Sequence, residues 1–172
     1  EVGLWQPLDA TLTIGGEPQR VRALFVSDGT LQALGVQPAR GRGSTEADHG
    51  PAAAGSAPII LSHAFWQRRF GGDAAALGRV LTLDSRLSQI VGVMPRDFRF
   101  LDATLQPDVI FGGTALDPAE QTLDNFLYHA LARLKPGVTP AAGQTDLARM
   151  VPIWLDTWPL LPGVTYKRDA NA

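Results

Sequence analysis

The sequence predicts an α+β fold built of small mixed sheets. Three observations carry this. Strand-sized apolar segments bounded by Gly, Pro and Asp recur along the 172 residues. Short helical segments with recognisable caps lie between them. The two kinds of element mix without regular alternation, which argues against a doubly wound parallel sheet.

The elements follow in order. "ATLTIGGEPQRVRALFVS" (10–27) reads as a hairpin. Gly15-Gly16 supplies the positive φ of its turn, and Val21, Leu24 and Val26 resume the strand. Asp28 is placed to cap a short helix holding Leu31 and Leu34, which Gly35 closes. The segment 37–57, rich in Gly, Ala, Pro and Ser, reads as a loop, with a mobile tip. "PIIL" (58–61) is a short buried strand. Ser62 caps "HAFWQRRF", with Phe65, Trp66 and Phe70 inward, Arg68 and Arg69 near its negative end, and Gly71-Gly72 after it. Asp73 caps a further single turn.

A second hairpin, "RVLTLDSRLSQIVGVMPRDF" (79–98), turns at Asp84-Ser85-Arg86 and stops at Met94-Pro95. "PDVIFGG" (107–113) is another strand. In 125–138 a strand sets Tyr128, Ala130 and Ala132 on one face, and Leu127, His129, Leu131 and Arg133 on the other. Thr139-Pro140 opens a helix with Leu147, Val151, Trp154 and Trp158 at helical spacing, which Pro152 is expected to kink or break. "VTYKRD" near the end is strand-like and looks cut within an element.

Composition narrows the function. With 45% hydrophobic and 19% charged residues, the chain is of ordinary globular make-up. A chain of this length buries roughly 70% of its unfolded surface, so it needs no staple. A net charge of −2 gives no general pull toward nucleic acid or anionic lipid. The absence of cysteine removes disulfides, thiol nucleophiles and thiolate metal sites. No apolar run approaches the roughly 20 residues that span a bilayer. The start at Glu1, without methionine, suggests an excised piece of a longer protein.

Chemistry-bearing residues are few. His49 with Glu46 and Asp48 could be drawn as a metal site, but no second histidine stands at ligand spacing, and a solvated loop is the simpler reading. Ser62-His63 are neighbours on a helix start and do not face each other, so capping accounts for Ser62. His129 lies in a strand as a packed or edge residue. Asp117 and Glu120 sit where acids complement helix starts. "GRG" (41–43) matches no phosphate or dinucleotide loop. Arg20, Arg22, Arg40 and Arg42 are too scattered for a nucleic-acid stripe. Trp66 reads as core. Trp154 and Trp158 read as core before partner patch, and Trp5 joins them as a candidate pocket wall.

Five ordered segments carry a family likeness: "LGVQPARGR", "LSHAFWQRRFGGD", "LGRVLTL", "VGVMPRDFRF" and "ARLKPGVT". Together, over about residues 20–150, the chain resembles the MacB-like periplasmic core domain of bacterial ABC-transporter permeases. The nearest resemblance is to large FtsX-like permeases of acidobacteria and related soil bacteria. Thr30-Leu31 stand where the family has Tyr-Phe, and Asp84-Ser85 where it often has Asn-Gly.

The resemblance implies βαβ-like porter units and a smaller mixed α/β lobe inserted at roughly 36–125. The whole of 1–172 would be a single extracytoplasmic core region, cut before the second transmembrane helix. It would lie in the periplasm, attached to the inner membrane. No catalytic, cofactor-binding or metal residue is implied. The partners implied are a cytoplasmic ABC ATPase acting through the membrane region, a second copy of the permease, and a periplasmic or outer-membrane protein. The domain would transmit motion, with Val93, Met94, Phe98 and Phe100 holding one lobe against the other. Phe98→Ala would then cost on the order of 3–5 kcal/mol, given a buried ring. The alternatives are a ligand- or peptide-binding module with a cleft between lobes, and a hydrolase using Ser62, His63 or His129.

Overall fold

Strand pairing dominates the architecture. The computed structural model describes residues 1–45, 56–101, 105–113 and 127–157. Its elements are β1 (Val2–Ile14), β2 (Glu17–Ser27), α1 (Thr30–Leu34), β3 (Arg40–Gly41), β4 (Ala57–Leu61) and α2 (His63–Phe70). Then come a 3-10 turn (Ala74–Ala76), β5 (Val80–Leu83), β6 (Arg86–Val93), β7 (Val109–Gly113), β8 (His129–Ala132) and α3 (Pro140–Thr157). The α+β class holds. The strands join in one eight-stranded sheet instead of several small ones.

That sheet closes on itself. Among the described residues β1 pairs with β2, β2 with β7, β7 with β4, β4 with β6, β6 with β5, and β5 again with β1. The β2–β7 and β4–β6 pairs are parallel and the others antiparallel. Closure removes the free edges that an open sheet of these strands would expose. β1 is long enough to be shared: Leu12 and Thr13 meet β5, while Val2–Trp5 meet β8.

The two faces of the strands make two cores, as the period of two requires. On one face, Leu12, Val21, Ile59, Leu61, Ile90 and Val109 pack with Phe65 and Trp66 of α2. On the other, Leu24, Val26, Ile60, Met94, Phe100 and Ile110 pack beneath Leu31 of α1. Ile59, Ile60 and Leu61 thus alternate between the two clusters. A bulge opposite Ile59 and Ile60 leaves Val91 unpaired in the β4–β6 ladder, and puts Val93 on the same side as Ile90.

Local signals mostly act where expected. Ser62 Oγ accepts from the Phe65 N–H at 3.2 Å, and Asp73 Oδ1 from Ala75 N–H at 2.9 Å. Thr139 Oγ1 accepts from Ala142 N–H at 3.2 Å. Asp84 and Ser85 form the hairpin turn with φ of 45° and 68°. Asp84 is suited to it because its Oδ1 also accepts from Thr11 N–H at 2.7 Å, tying the turn to β1.

Several expectations are corrected. β1 begins at Val2, not near residue 10, because pairing with β2 and β8 overrides the breakers Gly3 and Pro7. Asp28 does not cap α1. Gly29 takes the cap position in the left-handed conformation, and Thr30, fully buried, donates its hydroxyl to Leu4 O at 3.0 Å. Residues 40 and 41 of the expected loop form β3 against β6. α3 runs through Pro152 to Thr157. A proline there removes one hydrogen-bond donor and sets its ring against the Ala148 carbonyl one turn earlier, without ending the helix. Phe98 is only half-buried, and Met94 and Phe100 hold the enclosed positions.

The chain forms two compact units. One comprises Glu1–Ala115 and Tyr128–Arg133 and holds the whole sheet. The other comprises Leu116–Leu127 and Leu134–Ala172 and holds α3, on which Leu147, Met150, Val151 and Ile153 are exposed.

Candidate functional site

The corner after β6 is where charge and apolar surface converge. Met94 extends the pairing, its N–H donating to Leu61 O at 2.9 Å. Pro95 then has no N–H to give, so the ladder ends. Phe98 N–H closes a turn on Pro95 O at 3.2 Å, and the chain returns across the outer face through Phe100.

Asp108, at the entrance to β7, bolts this corner to its surroundings. It is nearly buried. Its Oδ1 accepts from Arg68 Nη2 at 2.9 Å, and its Oδ2 from the Arg22 backbone N–H at 3.2 Å. The Arg22 guanidinium stands 3.9 Å from the same carboxylate. The Asp108 N–H donates to Arg22 O, and its carbonyl accepts from Ser62 N–H. One residue therefore joins β2, β7, α2 and the end of β4. Both arginine side chains are more than half exposed, so the ion pairs themselves are weak. The backbone bonds do most of the fixing.

Asp108→Ala is expected to lower stability by about 1–3 kcal/mol, because the Arg22 amide loses its acceptor in a partly buried place. Asp108→Asn, which keeps one acceptor, is expected to cost less. Urea unfolding of both variants checks this. Equal losses would show that the Arg22 amide does not depend on that oxygen.

Beside Asp108 lies a cleft of about 600 Å³. Arg22, Arg68, Arg96 and Arg99 line it, with Gln67 and Gln106. Its apolar wall is Met94, Pro95, Phe98, Phe100, Leu105 and Pro107. The start of α2, Ser62 to Ala64, also faces it.

Of the residues singled out in the sequence, Arg22, Ser62, His63, Met94, Phe98 and Phe100 line this cleft, and the other described candidates stand elsewhere. Ser62 caps α2, and the adjacent His63 ring meets Trp66 edge-on at 5.6 Å. His129 is exposed on β8 and stacks on Trp5 at 4.3 Å. Trp5 meets Phe100 edge-on at 5.0 Å. Trp66 is buried, and its Nε1–H donates to Asp73 O at 2.9 Å. Arg20 pairs with Asp9, Arg40 lies over Trp66, and Arg42 donates to Gly43 O. His49, Glu46, Asp48, Asp117, Glu120, Trp158 and the Trp154 side chain lie outside what is described. Among the described residues no three His, Cys, Asp or Glu side chains cluster as metal ligands, and no helix is long and apolar enough to cross a membrane. Sequence reasoning missed Asp108, Arg68, Arg96 and Arg99. Arg22 and Arg68 stand 86 and 40 positions from Asp108, so no local motif could reveal the set.

The closed sheet with its capped corner has relatives. The model of the MacB-like periplasmic core domain matches residues 4–150. The chain belongs to that family, whose members are periplasmic domains of ABC-transporter permeases. The fold is similar to the periplasmic region of MacB from Actinobacillus actinomycetemcomitans, with a TM-score of 0.64 and 12% identity, over 89% of this chain and 66% of that one. It is similar to a domain of a permease protein from Porphyromonas gingivalis, with a TM-score of 0.60 and 21% identity, over 87% and 68% of the two chains. It is also similar to the extracellular domain of the ABC-type transporter YknZ from Gram-positive bacteria, with a TM-score of 0.62 and 13% identity, over 92% and 77%. The chain thus spans about two thirds of the MacB region. No curated protein sequence matches it significantly.

Proposed function

We propose that this chain is a non-catalytic extracytoplasmic module that couples ATP-driven motion of permease helices to export or release of a substrate. The observation that carries this reading is the closed strand ring, filled on one face and covered on the other, with its corner bolted through Asp108. Such a body transmits displacement because close-packed interiors compress little. The partners are a cytoplasmic ABC ATPase acting through the membrane region, a second copy of the permease, and a periplasmic or outer-membrane protein. The module stands on the outer side of the inner membrane.

Residues 1–172 act as a single core region in this reading, with 36–125 an insertion by chain order. Arg133, just after β8, donates Nε–H to Ala33 O at 2.8 Å, which ties β8 to the end of α1. The second reading, a ligand-binding module, is favoured by the cleft beside Asp108.

Spin labels at the exposed Val2 and Leu87 of the full-length permease test the coupling reading. Distances between the two copies are expected to change between the nucleotide-free and ATP-trapped states. Distances between the labels within one copy are expected to stay constant. Fixed distances between copies throughout the cycle would remove the coupling role, and changing distances within a copy would remove the rigid body.

A further inference from the structure

We propose that the cleft beside Asp108 binds a small anionic amphiphile: a phosphate or carboxylate attached to an apolar body. Four arginines line the cleft, and among its described lining residues Asp108 is the only acid. That acid is already engaged by the Arg22 amide and Arg68, so it does not cancel the remaining charge. Among the described residues no ion pair holds Arg96. Arg99 spends Nη1 on the carbonyls of Phe98 and Arg96, which fixes the lip and leaves its other donors for a ligand. Guanidinium groups suit planar or tetrahedral oxyanions, which they bind through paired N–H donors. The first turn of α2 adds backbone N–H groups with the positive end of the helix dipole behind them.

The apolar wall supplies the rest of the ligand's recognition. Phe98 and Leu105 are only partly covered by the outer core, so their remaining surface gains from a hydrocarbon or aromatic partner. The volume, about 600 Å³, lies within the range of small-molecule sites. A bare anion would leave this wall wet, and a neutral apolar molecule would leave the arginines without a counter-charge. The site lies wholly within Glu1–Ala115, so it does not require the coupling role proposed above.

Calorimetric titration of the 172-residue chain with n-octyl phosphate, inorganic phosphate and n-octanol tests this. Octyl phosphate is expected to bind at least tenfold more tightly than either fragment. The Arg96→Glu/Arg99→Glu double variant, both sites being exposed, is expected to weaken it tenfold or more. Should that variant lose stability, Arg96→Ala, whose side chain has no ion pair to lose, is expected to weaken binding in the same direction. Adding salt is expected to weaken octyl phosphate and leave octanol unchanged. Vesicles of anionic phospholipid, run beside the soluble ligand, separate a lipid headgroup from a free small molecule as its source. Octyl phosphate binding no better than octanol, or binding unchanged in both arginine variants, would overturn the proposal. Neither result would bear on the spin-label distances that test coupling.

Discussion

Phe65→Ala is expected to destabilise the chain by about 3–5 kcal/mol. Phe65 is fully buried on the inward face of α2. It packs in the cluster formed by Leu12, Val21, Ile59, Ile90 and Val109, residues from strands all around the ring. No single strand can move in to fill the space, because each is hydrogen-bonded on both sides within the closed pairing. The cavity therefore stays open, and the cost lies toward the upper part of the usual range for such truncations. Secondary losses add to it. Phe65 meets Phe70 edge-on at 6.5 Å, and the Arg68 guanidinium lies 5.3 Å from its ring centre. Arg68 is the residue that reaches Asp108, so loosening α2 also loosens the corner. In urea, with an m-value of about 2 kcal/mol/M, the midpoint is expected to fall by roughly 2 M. A loss below about 1 kcal/mol would mean that α2 does not fill the ring, and the rigid-body argument would go with it.

How much of this was legible in the sequence depends on the distance over which each cause acts. Ser62, Asp73 and Thr139 cap their own helices, and Gly15-Gly16 and Asp84-Ser85 bend their own turns. Those interactions span a few residues, and residue type alone reports them. Phe65 and Trp66 were legible as core because helical periodicity points them one way. The first half of β1 was not, since Gly3 and Pro7 speak against a strand, and only pairing with two distant partners decides the matter. The closed ring was invisible for the same reason: Leu12 meets Leu83 across a long stretch of chain. Phe98 and Phe100 both lie beyond the Met94-Pro95 stop, and nothing local ranks their burial. The Asp108 site sits at the far end of this scale. Its acid, its arginines and its apolar wall come from four separate segments, each unremarkable alone.

Gly41→Ala is expected to cost about 2–4 kcal/mol and to lift β3 off β6. Gly41 pairs with Gly92, and its φ is +71°, where an L side chain is strained. A Cβ added there would run into the Val91 carbonyl oxygen and lie 3.0 Å from the Gly92 Cα. Both are backbone of β6, whose opposite edge is paired with β4 through Gly92 and Val93, whereas β3 is two residues long, so β3 is the part that gives. Moving it breaks the bonds that flank the contact, from Ala39 N–H to Val93 O and from Arg42 N–H to Val91 O, at 2.8 and 2.9 Å. Hydrogen exchange is expected to show the Ala39 and Arg42 amides losing protection while the Ile59 and Ile90 amides keep theirs relative to global unfolding. Retained protection at Ala39 and Arg42 would mean that β6 gives way instead, and that the strand leading into the Met94-Pro95 corner is softer than a transmitting element can be.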